Sequence, residues 1–232
     1  MSLDLRAVLS GIGLTDQQIS QLTSLLEALE GDEHAPTAVR QRELAAYVHL
    51  ADSLAALEVE EIHTARNIAD LGAGAGFPGL ALAVALAGST VWLVESQRRK
   101  CDFIGRTIAA AGITNARIIC ARAEDWPDGL DSNDVVTARA LAPQPVVLEY
   151  AAPLLLRGGV LIDWRGRRDP DEESAADRAA EELGMKRVEV RRVVPFPDAH
   201  DRHLHTFTKV ADTPDRFPRR AGVARKRQLG SR

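Results

Sequence analysis

Apolar residues recur at helical spacing through the first third of the chain, and then the period changes. Ile19, Leu22, Leu25, Leu26 and Leu29 mark one face of a helix, opened by a capping box of Thr15 and Gln18 and stopped at Gly31. Leu44, Tyr47, Val48, Ala51, Leu54 and Ala55 predict a second amphipathic helix over about 40–57, and the polar stretch Glu30-Gly31-Asp32-Glu33-His34-Ala35-Pro36 separates the two. From Asn67 onward short apolar runs alternate with helical ones: 68–71 then 80–86, 91–94 then 101–111, 116–120, and 135–137 then 146–156. Strand followed by helix, repeated, requires crossover connections and a parallel sheet. A strand at 160–164 follows Gly158-Gly159, a charged helix covers 171–183, and alternation at Val188, Val190 and Val193 and again over 204–210 predicts two closing strands, one of them antiparallel. The fold class is α/β, a doubly wound, mostly parallel, Rossmann-like sheet with a helical N-terminal extension. Three parts are expected: a helical region packed on the core (1–60), the sheet domain (61–212) and a C-terminal tail (213–232).

Length and composition add limits. With 232 residues, 45% hydrophobic and 27% charged, the chain has material for an ordinary core. The longest nearly unbroken apolar stretch, 80–87, is far short of the roughly 18 to 20 residues of a membrane span. The start, Met1-Ser2-Leu3-Asp4-Leu5-Arg6, carries no secretory pattern, so a cytoplasmic protein is expected. Cys101 and Cys120 lack metal-ligand spacing, which predicts packed thiols and no metal site. A net charge of -4 does not advertise a nucleic-acid partner, but its distribution is uneven. No acid follows Asp215, whereas Arg219, Arg220, Arg225, Lys226, Arg227 and Arg232 do, so the tail is locally basic.

The candidate chemistry lies in Asp70-Leu71-Gly72-Ala73-Gly74-Ala75-Gly76-Phe77-Pro78-Gly79, which follows a strand and opens a helix. Glycines there let backbone amides approach a ligand at a helix start. Residues 74–79 satisfy the dinucleotide pattern GxGxxG, with Glu95 about 20 residues on. The same loop also reads acid-x-Gly-x-Gly-x-Gly, a pattern associated with S-adenosylmethionine (SAM). Charge favours SAM, because Asp70 suits its cationic methionine end better than a pyrophosphate. Glu95 ends the next strand, where a carboxylate accepts ribose hydroxyls or caps the following helix. Ala123 and Glu124 follow the third strand, at the height of an adenine.

These residues and their order resemble the small-subunit (16S) ribosomal RNA guanine-N7 methyltransferases, also called glucose-inhibited division protein B. The resemblance runs through His49-Leu50-Ala51-Asp52-Ser53, the glycine loop, Leu93-Val94-Glu95-Ser96 with Arg99-Lys100 and Phe103, then Arg122-Ala123-Glu124 and Thr137-Ala138-Arg139-Ala140. It continues in Arg165-Gly166, Arg202-His203-Leu204 and Phe217-Pro218-Arg219-Arg220-Ala221-Gly222. It implies a SAM-dependent methyltransferase that modifies N7 of one guanine in 16S rRNA, on the small subunit or an assembly intermediate, with a monomer expected. Asp70, Gly72, Gly74, Gly76, Phe77, Glu95, Ala123, Glu124 and Arg139 are then the expected cofactor residues. Arg139 and Arg165 are expected to position the target nucleotide. RNA contacts are expected from Arg122, Arg165, Arg202, Arg219, Arg220, Arg225, Lys226 and Arg227. Two departures stand out. Leu29 to Thr37 replaces a Trp-Asn-x-x-x-Asn-Leu-Thr-like stretch, and Arg165 stands where a lysine is expected. Guanine N7 carries a free lone pair, so the reaction requires no general base, and the chain has neither an Asn/Asp-Pro-Pro-aromatic string nor a Pro-Cys dipeptide. A small-molecule methyltransferase and a non-catalytic ribosome-assembly factor remain as rival readings, with a nicotinamide-linked dehydrogenase behind them.

Overall fold

The computed structural model describes residues 3–197 and 199–230. Met1 and Ser2 of the N-terminal reading and Arg232 of the basic tail lie outside the described residues. A short helix α1 (Leu5–Val8) precedes α2 (Asp16–Gly31), whose N-terminus is closed by the capping box of Thr15 and Gln18. Leu22, Leu25, Leu26 and Leu29 are no more than 1% exposed and share one core cluster with Leu80 and Leu82. Burying each such side chain stabilises the fold by roughly 1.5–3 kcal/mol. Gln18 Nε2 also donates to the carbonyls of Val84 and Ala85 at 2.9 and 3.3 Å. The N-terminal helices thus form a layer of the sheet's own core.

The helix expected over 40–57 is divided. It begins as α3 (Arg42–Ala45), widens into a π-helical segment (Ala46–Ala51), and continues through α4 (Asp52–Leu54) into a 3-10 turn (Ala55–Glu58). A π turn accommodates an extra residue and is frequent at functional sites. Here it coincides with three buried polar side chains, His49, Asp52 and Ser53.

The strands and helices that follow are β1 (Asn67–Leu71), α5 (Gly79–Ala85), β2 (Thr90–Val94), α6 (Arg98–Ala111), β3 (Ala116–Ile119), β4 (Asn133–Arg139) and α7 (Gln144–Ala151). Then come β5 (Leu155–Arg165), α8 (Pro170–Glu182), β6 (Met185–Arg192), β7 (His203–Lys209) and a final turn of helix, α9 (Val223–Lys226). The seven strands form one sheet in the order β3-β2-β1-β4-β5-β7-β6. All neighbours are parallel except β7, which runs antiparallel to both β5 and β6, as the closing alternation predicts. One apolar cluster lies under α2, α5 and α6, and a second under α7 and α8.

Two expectations about elements need correction. The helix assigned to 146–156 ends at Ala151, and Leu155 and Leu156 already belong to β5. Pro153 marks the stop two residues beyond α7, and the buried Leu154 and Leu155 after it continue the apolar pattern across the switch of period. Cys120 is exposed, and only Cys101 is a packed thiol. Among the described residues no helix is long and apolar enough to cross a membrane, and no cluster of side chains could hold a metal ion.

Winding reverses between β1 and β4, and in doubly wound sheets ligands sit at that switch point, beyond the carboxyl ends of the strands. This edge carries the glycine loop after β1, Glu95 after β2, residues 121–124 after β3, Arg139 and Ala140 at the end of β4, and Arg165 at the end of β5.

Candidate cofactor and substrate site

The glycine loop turns back under β2. The amides of Gly72 and Ala73 both donate to the Val94 carbonyl, at 2.8 and 3.2 Å. Gly72, Gly74 and Gly76 have φ of +66°, +60° and +94°, which a side chain tolerates poorly. At Gly76 a Cβ would also lie 2.3 Å from Leu80 Cδ1. Sequence and geometry therefore agree on why glycine stands there.

Asp70 lies beneath the loop. Its Oδ2 accepts from the Gly79 amide at 2.9 Å and its Oδ1 from the Thr137 hydroxyl at 3.1 Å, and the residue is 1% exposed. Burial pushes its carboxyl up to about 7, against the pull of those two hydrogen bonds and of Arg139. Its two oxygens thus tie β1 to the start of α5 and to β4. The Phe77 ring stacks on His49 of the N-terminal layer at 5.1 Å between centroids.

An open cleft lies on the other side of the loop. It is bounded by Gly72, Glu95, Lys100, residues 121–124, Ala140, Leu141, Tyr150 and Arg225. Glu95 is 5% exposed; its Oε2 accepts from the Gly74 amide at 3.1 Å and its Oε1 from the Gln97 amide at 2.8 Å. The carboxylate thus links the glycine loop to the start of α6, and each oxygen retains acceptor capacity. Lys100 Nζ stands 3.9 Å from Oε2. Ala123 and Glu124 line the cleft, as does the exposed Arg122. Ala140 adopts φ +52°, one of two non-glycine residues in that region among those described, and turns the chain at the end of β4 towards Leu141.

Arg139 does not enter this cleft. Its Nη1 donates to the Val48 carbonyl at 3.0 Å and to Asp52 Oδ2 at 2.8 Å, and its side chain is 16% exposed. Arg202 Nε approaches the other Asp52 oxygen at 3.4 Å, and Trp164 Nε1 donates to the Asp52 carbonyl at 2.9 Å. Three strings far apart in the chain, around Asp52, Arg139 and Arg202, therefore meet at one carboxylate. His49 completes the cluster, with Nε2 within 3.1 Å of both the Thr37 hydroxyl and the Val39 carbonyl. Burial, aided by Arg139, lowers its pKa to about 4, so the ring is neutral. The divergent stretch ending at Thr37 is thereby docked on the same cluster.

Arg165 is likewise engaged. Nε donates to Asp163 Oδ2 at 2.7 Å, Nη1 to Glu172 Oε1 at 3.2 Å and Nη2 to the Ala142 carbonyl at 2.9 Å. Its fork ties the β4–α7 loop to β5 and α8.

The tail is folded onto the protein. Phe217 and Ala224 are buried in the cluster under α7, and both Nε and Nη2 of Arg219 hold the buried Glu149 carboxylate. The Gly222 amide donates to Glu124 Oε1 at 3.1 Å, and Arg225 Nη2 to the Leu141 carbonyl at 3.0 Å. Arg219 and Arg225 are therefore bonded within the protein, and Arg220, Arg225, Lys226 and Arg227 are exposed. Lys100, Leu141 and Tyr150 were not assigned to the site from the sequence. Lys100 lies in the first turn of α6, close to Glu95, a signal that was available; Tyr150 sits on a mostly apolar helix that reads as core.

The fold is that of SAM-dependent methyltransferases. A SAM-dependent methyltransferase from Aquifex aeolicus superposes with a TM-score of 0.56 at 17% identity, covering 69% of this chain and 91% of that one. A SAM-dependent O-methyltransferase from Thermotoga maritima gives 0.56 at 16% identity, covering 82% of this chain and 73% of the other. The family model described as rRNA small subunit methyltransferase G matches residues 16–204, and the chain belongs to that family, GidB. The Ribosomal RNA small subunit methyltransferase G of Chloroflexus aggregans is 38% identical over 224 residues, 94% of this chain and 93% of that protein. Its counterpart in Deinococcus deserti is 39% identical over 184 residues, 78% of this chain and 75% of the other.

Proposed function

We propose that the protein transfers a methyl group from SAM to N7 of a guanine in 16S rRNA, acting as a cytoplasmic monomer on the small subunit or an assembly intermediate. The observation that carries this reading is the cleft beside the glycine loop, with Glu95 presenting a buried carboxylate next to the loop amides at the β1–β4 switch point of a GidB chain. The donor set fits SAM. Glu95 offers acceptors to ribose hydroxyls, Ala123 and Glu124 offer a backbone edge and a carboxylate to an adenine, and the loop glycines admit close backbone approach. When bound, SAM supplies an electrophilic methyl carbon.

What the chain supplies is position. The N7 lone pair attacks without losing a proton, so residues that hold the two reactants in line contribute the main term, up to roughly 7–11 kcal/mol in favourable cases. Asp70 holds the loop, and Arg139 and Arg165 hold the ends of β4 and β5 beside which the guanine enters. Arg122, Arg202, Arg220, Lys226 and Arg227 are the proposed phosphate contacts, which place the RNA across the mouth of the cleft. In this reading residues 1–60 shape the entrance, 61–212 hold the cofactor, and 213–232 serve both.

Two measurements test the reading. Purified protein, small subunits and SAM should yield a borohydride- and aniline-sensitive site at a single guanine of 16S rRNA; methylation without such a site would refute N7. Glu95→Ala removes charge-assisted hydrogen bonds worth about 1.5–3 kcal/mol each, so calorimetry should show SAM weakened at least tenfold. An unchanged affinity would refute the ribose placement.

A further inference from the structure

The basic residues of the tail do not behave as a group. Two of them are bound into the protein, and the residue that lines the cleft, Arg225, is one of these. The segment 217–227 is attached at three levels. Phe217 and Ala224 anchor it in the apolar cluster under α7. Arg219 forms a two-point ion pair with Glu149, whose side chain is 3% exposed, and a buried pair of this kind fixes geometry strongly because neither partner can be left alone. The remaining attachments are made to the walls of the cleft itself: Gly222 amide to Glu124, and Arg225 to the Leu141 carbonyl. Arg225 also hydrogen-bonds Tyr150, another lining residue, whose hydroxyl pKa is raised chiefly by burial.

We propose that segment 217–227 is the outer wall of the nucleoside end of the cleft, and that Arg225 contacts the bound nucleoside. This rests on the reading of the cleft as the SAM site. Glu95 follows β2 and Glu124 follows β3, so a nucleoside held by Glu95 would lie towards Glu124, to which the tail is attached through the Gly222 amide. A planar guanidinium suits an aromatic base and its sugar, by stacking or by donation, better than a hydrated point charge would. Attachment through Glu124 couples the two sides: a ligand drawing on the Glu124 carboxylate also senses the tail's position.

The experiment uses the full chain and S-adenosylhomocysteine, the demethylated product, as the ligand. Calorimetry should show binding to the unaltered protein weakened at least fivefold in Arg225→Ala, with Arg225→Lys restoring only part of it. Arg219→Glu should also weaken binding, and the exchanged pair Arg219→Glu with Glu149→Arg should recover at least half of the loss on a logarithmic scale. Independently of any variant, adding the ligand to the unaltered protein should slow amide hydrogen exchange across 219–227. Exchange unchanged there overturns the wall, and affinities of both Arg225 variants within twofold of the original overturn the contact. If Arg225→Ala instead lowers RNA affinity while homocysteine-nucleoside binding stays intact, Arg225 is an RNA contact and the proposal is wrong. Failure of the unaltered protein to bind the ligand removes the SAM reading together with this one, an outcome distinct from the others.

Discussion

Arg139→Ala should behave as a structural lesion centred on Asp52. In the intact protein Asp52 is 5% exposed and stands between Arg139 at 2.8 Å and Arg202 at 3.4 Å. Removing Arg139 strips the closer partner from a buried carboxylate and frees the Val48 carbonyl, and breaking such a pair from one side costs about 3–5 kcal/mol. Arg202 remains nearby and half-exposed, which places the expected cost at the lower end, about 3 kcal/mol. For a chain of this size that corresponds to a fall in Tm of roughly 6–12 °C. Asp52→Ala should cost a similar amount, and the double variant should cost much less than the sum, with a coupling energy of about 2 kcal/mol. The assay is urea denaturation of the four proteins followed by circular dichroism, with SAM affinity measured on each by calorimetry below the transition. If Arg139→Ala loses less than about 1 kcal/mol and yet abolishes SAM binding, the guanidinium serves the ligand and the reasoning from the Asp52 cluster fails.

Three further outcomes are expected. The folded-state pKa of Asp70 is raised to about 7 from 3.8, so the folded protein binds a proton that the unfolded chain has already lost; this group therefore costs stability progressively as pH rises from about 4 to 7. Asp70→Asn should flatten that decline, and a stability difference between the two proteins that does not vary with pH would count against the buried, proton-retaining carboxyl. Single-turnover methylation should lack a tenfold rise per pH unit between pH 6 and 8, because N7 needs no base; a rise of that steepness would place an essential base in the site. Neutralising Arg220, Lys226 and Arg227 together should lower RNA affinity and reduce the slope of log affinity against log salt by about 2 to 3 while leaving the saturated rate intact, and an unchanged slope would show that none of the three meets phosphate.

Local physics determines what was legible along the chain. Hydrophobic period distinguishes helix from strand within a few residues, so α2, β1, α6 and the closing strands follow from Leu22 to Leu29, Ile68 to Leu71, and Leu204 to Val210 without any knowledge of their partners. Glycine at 72, 74 and 76 declares a backbone that only glycine adopts readily, and Glu95 at the next strand end declares an acceptor at the same edge of the sheet. Where an element differs, the apolar run outweighed the stop signal: Pro153, two residues beyond Ala151, marks the end of α7, while the buried Leu154 and Leu155 that follow continue the apolar pattern into β5. The π segment at 46–51 leaves no mark in a periodicity that tolerates one extra residue.

The roles of the charged side chains were decided only by tertiary structure. Arg139, Arg165 and Arg219 look alike in sequence as free cations, and each proves to be committed, to Asp52, to Asp163 with Glu172, and to Glu149. Two of those partners lie 87 and 70 positions away, and no local rule selects them. A long flexible cation acquires its function from whichever acceptor the packed backbone brings within about 3 Å, and the energy of the pair depends on how much water the same packing removes. Asp70 shows this at one residue: its place in the glycine motif was evident from the sequence, but its depth, and so its task of holding the loop beneath the cleft, follows from the register that sets β1 against β4 with Thr137 opposite.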